Sequence, residues 1–249
     1  MSVNQSCRSE GAVKFSGWGD FSEYQGLRII YRKYFLLEIV KTIIFDFDGT
    51  IANTLEALLS ISNRLAQEFG YPQITAEDLR QLKDLSSRDI IRQAQIPFVK
   101  IPFLLRRLKI ELNREIESVR PIQGIEKALR ELKQDQYSLG IITSNSAENV
   151  QAFLRGHQLE NLFDFIYSGS TIFGKHRVMT RLMRKHKFSP RDIVYVGDET
   201  RDIEAARRIF VRIIAVSWGF NSRAILETYQ PDFLIERPEE MVEIVRHSL

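Results

Sequence analysis

Residues 41–50 read KTIIFDFDGT, an apolar run that stops abruptly at two aspartates, a glycine and a threonine. A short apolar run that ends in a polar loop is typical of a buried β-strand. Later in the chain such runs alternate with segments of helical spacing. The further strand predictions are 138–143, 164–168, 192–198, 211–217 and 232–235, and the helix predictions between and after them are 124–134, 147–155, 175–187, 201–209, 222–229 and 238–247.

Strands that alternate with helices require crossover connections, which place the strands parallel and the helices on the two faces of the sheet. The sequence therefore predicts an α/β fold with a parallel sheet covered by helices. Residues 54–119 interrupt the alternation, because they carry helical spacing with no strand between them. We expect an all-helical domain there, inserted after the first strand. Its second helix should start with a capping box at Thr75–Asp78.

The predicted domains are a core of residues 39–53 and 120–249 and the helical insertion 54–119. Residues 1–38 are rich in Ser, Gly and Asn and show no sustained period. We expect them to form a poorly ordered N-terminal extension, with a short helix around 27–37 as the alternative.

Composition excludes several classes of protein. Apolar residues make up 44% of the 249 residues, so the chain can fold around a core, and its formal net charge of +3 is too small to indicate a nucleic-acid-binding protein. The single cysteine, Cys7, permits neither an internal disulfide nor a zinc site built on cysteines. No apolar run reaches the roughly 18 residues of a membrane span, and no secretory signal pattern is present. A cytoplasmic monomer or homodimer without membrane contact is expected.

Polar residues follow three of the predicted strands. Asp46 and Asp48 follow the first, Thr143 and Ser144 end the next, and the GDETRD stretch 197–202 ends a later one. Ligands of parallel α/β sheets bind at the carboxyl ends of the strands, so these groups should meet there. Crowded aspartates repel unless a cation joins them, and oxygen ligands favour a hard ion such as Mg²⁺.

The order of these groups resembles the four motifs of the haloacid dehalogenase (HAD) superfamily. The motifs are DFDGT after an apolar strand, Thr143 or Ser144 at the end of the next, Lys175 at a helix start, and Gly-Asp with a second aspartate four residues on. The resemblance covers about residues 41–249. The helical insertion is similar to the C1-type cap of the subfamily that contains phosphoglycolate phosphatase and β-phosphoglucomutase. The resemblance implies a Rossmann-like core with a helical cap.

The resemblance also implies roles for the four aspartates. Asp46 would attack phosphorus and form an aspartyl phosphate, and Asp48 would act as general acid and base. Mg²⁺ would be held by Asp46, the backbone carbonyl of Asp48, and Asp198. Asp202 would orient Lys175 or a metal-bound water from outside the ligand set. Glu199 is expected to face solvent.

Phosphate would be bound by Thr143, with Ser144 as the alternative register, and by Lys175 at a helix N-terminus. Lys175 is preferred to Lys185 and Lys187, which lie deeper in the helix, although Gly174 stands where many relatives have proline. Residues 144–146 can also form an ordinary loop in which Ser146 caps the following helix.

A basic patch lies in the helical insertion. It contains Arg92, Lys100, Arg106, Arg107 and Lys109, and no acidic residue falls between the first and the last. We expect Arg106 and Arg107 to hold a second anionic group of the substrate, the alternative being a solvated helix face.

The expected function is Mg²⁺-dependent hydrolysis of a small phosphorylated metabolite, with phosphoglycolate hydrolysis as the nearest named activity. A sugar phosphomutase shares the core motifs, and a non-catalytic binding protein could share the fold. Residues 169–175 also have Walker A spacing, but His176 follows where that motif needs Ser or Thr.

Overall fold

The structure is a computed structural model that describes residues 42–93, 96–168 and 174–249. The predictions for the N-terminal extension, and the part of the Walker A stretch at 169–173, lie outside the described residues.

In the part of the chain that the structure describes, six parallel strands form one sheet, as the sequence predicts. Their order across the sheet is β3-β2-β1-β4-β5-β6, and every neighbouring pair is parallel. The strands are β1 (Thr42–Phe45), β2 (Ser138–Ile142), β3 (Phe165–Tyr167), β4 (Ile193–Gly197), β5 (Arg212–Val216) and β6 (Phe233–Ile235).

The first strand lies in the middle of the sheet, between β2 and β4. Phe45 is in register with Ile141 of β2 and with Val196 of β4, so the three strands end at almost the same level. β2 and β3 lie on one side of β1, and β4, β5 and β6 lie on the other. Such a reversal of strand order opens a crevice at the carboxyl ends of the central strands.

Helices cover both faces of the sheet, which confirms the predicted layers. Alternate residues of a strand point to opposite faces; thus Ile43 and Phe45 pack in one buried cluster and Ile44 in the other. The first cluster includes side chains of α5 (Ile125–Gln134), α6 (Ala147–Gly156) and α10 (Pro238–His247). The second includes side chains of α7 (Lys175–His186), α8 (Thr200–Arg207) and α9 (Arg223–Thr228).

Among the described residues, four α-helices lie between β1 and α5, in the region predicted to be helical. They are α1 (Leu55–Phe69), α2 (Ala76–Lys83), α3 (Ser87–Gln93) and α4 (Ile101–Glu115). Apolar residues of α1 and α4, among them Leu65 and Leu112, are buried in the cluster that also covers the first face of the sheet. The capping box is confirmed: the Asp78 N–H donates to Thr75 Oγ1 at 3.1 Å and the Thr75 N–H donates to Asp78 Oδ2 at 2.8 Å. The division into two domains stays a prediction.

Within the described residues, none of the helices has the length and apolar character needed to cross a bilayer.

Candidate active site

Asp46 lies at the carboxyl end of β1, where the backbone leaves the sheet. Its N–H still donates to the Val196 carbonyl at 2.8 Å, and the residue is 2% exposed. The Phe47 N–H donates to Asp46 Oδ1 at 2.8 Å. One carboxylate oxygen is therefore held by the backbone, and the other faces Lys175.

Lys175 is the first residue of α7, and its ammonium group lies between two buried carboxylates. Nζ donates to Asp46 Oδ2 at 2.5 Å and to Asp202 Oδ1 at 2.6 Å. Burial acts to lower the pKa of Lys175, but the charges of Asp202 and Asp46 outweigh it and the pKa is raised. Lys175 thus stays charged, whereas Lys185 and Lys187 are exposed farther along the chain.

Three carboxylates converge beside this lysine. One oxygen from each of Asp46, Asp198 and Asp202 lies within 4.8 Å of the others, and all three residues are buried. Burial and the charges of Glu199, Asp46 and Asp202 raise the pKa of Asp198 well above its usual value. Burial also raises the pKa of Asp202 to about 6, against the opposing charge of Lys175.

The charge balance of this cluster fits a divalent cation. Three buried carboxyl groups lie beside one ammonium group, whose single positive charge could balance only one of them in ionised form. Buried charges are costly unless they are paired or coordinate a metal, and carboxylate oxygens suit hard divalent ions. The donors present are therefore suited to the metal that the sequence motifs imply.

Asp198 is oriented by contacts to both of its oxygens. The Thr50 hydroxyl donates to Oδ1 at 2.7 Å and the Phe220 N–H donates to Oδ2 at 2.7 Å. A Cβ atom on Gly49 or Gly219 would lie 2.2 Å from Oδ2, so both positions need glycine; Gly49 also has φ +75°. Sequence reasoning assigned no role to Thr50, although it belongs to the DFDGT motif.

The carboxylate of Asp48 has a different environment from that cluster. The Asn145 Nδ2 donates to Asp48 Oδ1 at 3.0 Å. Burial and the negative charge of Asp46 raise the pKa of Asp48 to about 7. A carboxyl group with that pKa can both give and take a proton near neutral pH.

Thr143 directly follows β2 and is fully buried. Its N–H donates to the Tyr167 carbonyl at 3.0 Å, and its Oγ1 accepts the Asn145 N–H at 2.9 Å, so the hydroxyl can still donate its hydrogen. Ser144, the alternative, is partly buried. The predicted cap of α6 is confirmed, because the Asn149 N–H donates to Ser146 Oγ at 3.2 Å.

The expectation that Glu199 faces solvent is wrong. Its side chain is 12% exposed, it forms an ion pair with Arg201, and it accepts the Ser87 hydroxyl of α3 at 2.6 Å. The Glu199 carboxylate is therefore bound by protein groups rather than by solvent, and its contact with Ser87 connects α3 to the loop after β4. The partner on α3 is 112 residues away in sequence, so local spacing could not predict it.

The sequence suggested that the positive charges of the basic patch have no acidic partners, but the structure shows that two of them do. Arg107 lies 3.4 Å from Glu68 of α1 and 3.4 Å from Glu111 of its own helix, and Arg92 lies 3.4 Å from Asp89. The compensating carboxylates fall outside the stretch 92–109 and reach it only in the folded chain. Arg106 is exposed on α4.

Comparison with known proteins agrees with this geometry. The model of the haloacid dehalogenase-like hydrolase family matches residues 43–216. The phosphoglycolate phosphatase of Synechococcus elongatus is 37% identical over 206 residues, which cover 83% of this chain and 97% of that protein. Pyrophosphatase PpaX of Bacillus anthracis is 25% identical over 83% of this chain and 96% of its own length. The solved structure of a haloacid dehalogenase-like hydrolase from Streptococcus pneumoniae superposes with a TM-score of 0.71 at 23% identity, covering 84% of this chain and 99% of that one. The chain belongs to the haloacid dehalogenase-like hydrolase family.

Proposed function

We propose that this hydrolase is a Mg²⁺-dependent phosphatase that cleaves small phosphate monoesters through an aspartyl phosphate on Asp46. The observation that carries the proposal is the buried contact of Asp46 with Lys175, next to Asp48, whose pKa is about 7. Phosphoglycolate is the first substrate to test, because a 37% identical relative along nearly its full length is a phosphoglycolate phosphatase.

Asp46 is the proposed nucleophile. Its Oδ1 is held by the Phe47 N–H, and its Oδ2 lies against the ammonium group of Lys175. The ammonium group offsets the charge of an approaching phosphoryl group. An Asp46 oxygen forms a bond to phosphorus while the bond between phosphorus and the ester oxygen breaks.

Asp48 is the proposed acid and base. In the first step its carboxyl group gives a proton to the departing ester oxygen. In the second step its carboxylate takes a proton from the water that attacks phosphorus, and the bond between Asp46 and phosphorus breaks. A pKa of about 7 suits both directions of proton transfer near neutral pH.

The proposed Mg²⁺ ligands are Asp46, Asp198 and the backbone carbonyl of Asp48, with Asp202 outside the ligand set as a partner of Lys175. When bound, the ion supplies positive charge against the oxygens of the transferring group. Thr50 and the Phe220 N–H fix both oxygens of Asp198 for this role.

Two further groups are proposed to bind substrate. The Thr143 hydroxyl and the Ser144 residue after it would bind phosphate oxygens at the end of β2. On α4, Arg106 would hold a second anion of the substrate, as Arg107 would if it released Glu68 and Glu111. We keep the cytoplasmic location and the monomeric or homodimeric state as predictions.

A panel of phosphorylated metabolites with Mg²⁺ tests the proposal. We expect release of inorganic phosphate from phosphoglycolate or another small anionic monoester, without a bisphosphate activator. Phosphate transfer within a sugar phosphate, dependent on a sugar bisphosphate, would favour a phosphomutase. No turnover of any monoester, together with ligand binding, would favour a non-catalytic protein.

A further inference from the structure

Asp48 accepts a hydrogen bond from a residue that no motif predicts. Asn145 is 3% exposed and donates its Nδ2 to Asp48 Oδ1 at 3.0 Å. Its own Oδ1 accepts two bonds, from the Ser146 N–H at 2.8 Å and from Asn149 Nδ2 at 2.8 Å. Because these two donors hold the amide oxygen, the amide nitrogen is directed at Asp48.

Asn149 continues this contact to the helical insertion. It is fully buried in the first turn of α6, and its Nδ2 also reaches the Lys109 carbonyl of α4 at 3.4 Å. Its Oδ1 accepts a hydrogen bond from Asn113 Nδ2, also on α4. Asn113 is itself exposed. A chain of three carboxamides therefore runs from α4 to Asp48, which we call the amide chain (Asn113, Asn149 and Asn145).

Carboxamides are chemically suited to such a chain. Each has an acceptor and a two-hydrogen donor, so each can be held on one side and direct the next group on the other. Burying a carboxamide without hydrogen-bond partners costs free energy. Because α4 supplies partners to Asn149, the docking of α4 and the orientation of Asn149 stabilise each other.

We propose that Asn145 and Asn149 are positioning residues for Asp48, and that they hold its carboxyl group towards the leaving oxygen while α4 is docked against α6. The inference rests on the proposed acid and base role of Asp48. It adds that the helical insertion controls that role through Asn113. Proton transfer would then be efficient only when the insertion encloses the site, which is a common use of closing elements in enzymes.

The leaving group of the substrate gives a direct test. A nitrophenolate leaves without a proton, whereas an alkoxide needs one. The ratio of kcat/KM for an alkyl phosphate such as phosphoglycolate to that for 4-nitrophenyl phosphate therefore reports proton donation by Asp48. General acid catalysis is worth roughly 10²–10⁴-fold, so a misplaced acid should lower this ratio by at least about tenfold.

The variants are Asn149→Leu, which keeps the branch at Cγ and removes both polar ends, and Asn113→Ala at an exposed position that should not impair folding. We expect both to lower the ratio. Gln151→Ala is the matched control, because Gln151 carries an exposed carboxamide on the same helix and lies outside the amide chain, and it should leave the ratio unchanged. The double variant should lose little more than Asn149→Leu alone, since both changes interrupt one chain.

Asp48→Asn separates the two levels of the proposal. It should lower the ratio most. If it does not, the acid role itself is wrong. If Asp48→Asn lowers the ratio but Asn149→Leu and Asn113→Ala reduce both substrates equally, or affect neither, the amide chain is only structural and this inference is overturned.

Discussion

Lys175 determines the charge balance among the buried carboxylates. Replacing it with methionine keeps the length of the side chain but leaves Asp46 and Asp202 without their cation. We expect Lys175→Met to abolish turnover and to lower the free energy of unfolding by about 3–5 kcal/mol, as for other broken buried ion pairs. Steady-state assays and denaturant unfolding measure the two effects.

The matched control is Lys185→Met on the same helix, where the side chain is exposed. Its unfolding free energy should change by no more than about 0.5 kcal/mol and its activity should be retained. Equal effects of the two substitutions would contradict a special role for Lys175.

Thr50 acts through Asp198. Thr50→Val has the same shape and removes the 2.7 Å hydrogen bond to Oδ1. Because partners of metal ligands orient them, the Mg²⁺ concentration for half-maximal activity should rise by about 10–100-fold. Titration of activity with Mg²⁺ gives this value.

Thr42→Val serves as the control for Thr50→Val. Thr42 is equally buried at the start of β1, and its hydroxyl has no hydrogen-bond partner among the residues that the structure describes. The control should leave the Mg²⁺ requirement unchanged. A similar shift in both variants would mean that Thr50 affects packing rather than Asp198.

At the scale of elements, α4 carries the prediction about substrate specificity. If Arg106 binds a second anion, Arg106→Ala should lower kcat/KM for the best metabolite by about ten- to a hundredfold, and a small aryl phosphate should be spared. Arg107→Ala should cost less, because Glu68 and Glu111 already offset the charge of Arg107. Kinetics on both substrates decide between these outcomes. Equal losses on the two substrates, or none, would show that Arg106 only faces water.

Elements with strong local patterns could be predicted from sequence. The apolar run 138–143 becomes β2 (Ser138–Ile142), and the parallel arrangement of the sheet follows from the alternation of strands and helices. The convergence of Asp46, Asp198 and Asp202 follows in turn, because parallel strands end at one edge.

Contacts between distant segments could not be predicted in the same way. Glu199 meets Ser87 of α3, Arg107 meets Glu68, and Asn145 meets Asp48, which lies 97 residues earlier. The first two pairs form only after helices have packed, and the third only after β1 and β2 have paired, so neither spacing nor composition near one partner reveals the other. Such contacts depend on tertiary structure.

On the scale of the whole molecule, we expect the cluster of three carboxylates to make activity and stability depend on metal. Chelation should stop turnover, and added Mg²⁺ should restore it. Mg²⁺ should also raise the Tm in thermal unfolding, since an ion that binds the folded chain stabilises it by mass action. Full activity in excess chelator would exclude the proposed metal from the reaction.

The proposed function depends on a covalent step through Asp46. Asp48→Asn should slow the hydrolysis of the aspartyl phosphate, because the amide cannot take a proton from water. Its formation from 4-nitrophenyl phosphate needs no proton donor, so the intermediate should accumulate in this variant. A burst of nitrophenolate close to one equivalent of enzyme is expected.

The most direct measurement combines this variant with acid quenching and borohydride reduction, which converts an aspartyl phosphate to homoserine. Mass spectrometry of the digested protein then locates the reduced residue. We predict homoserine at position 46 after reaction with 4-nitrophenyl phosphate, and none in the double variant with Asp46→Asn. Homoserine at another aspartate, or turnover that persists in Asp46→Asn, would contradict the account.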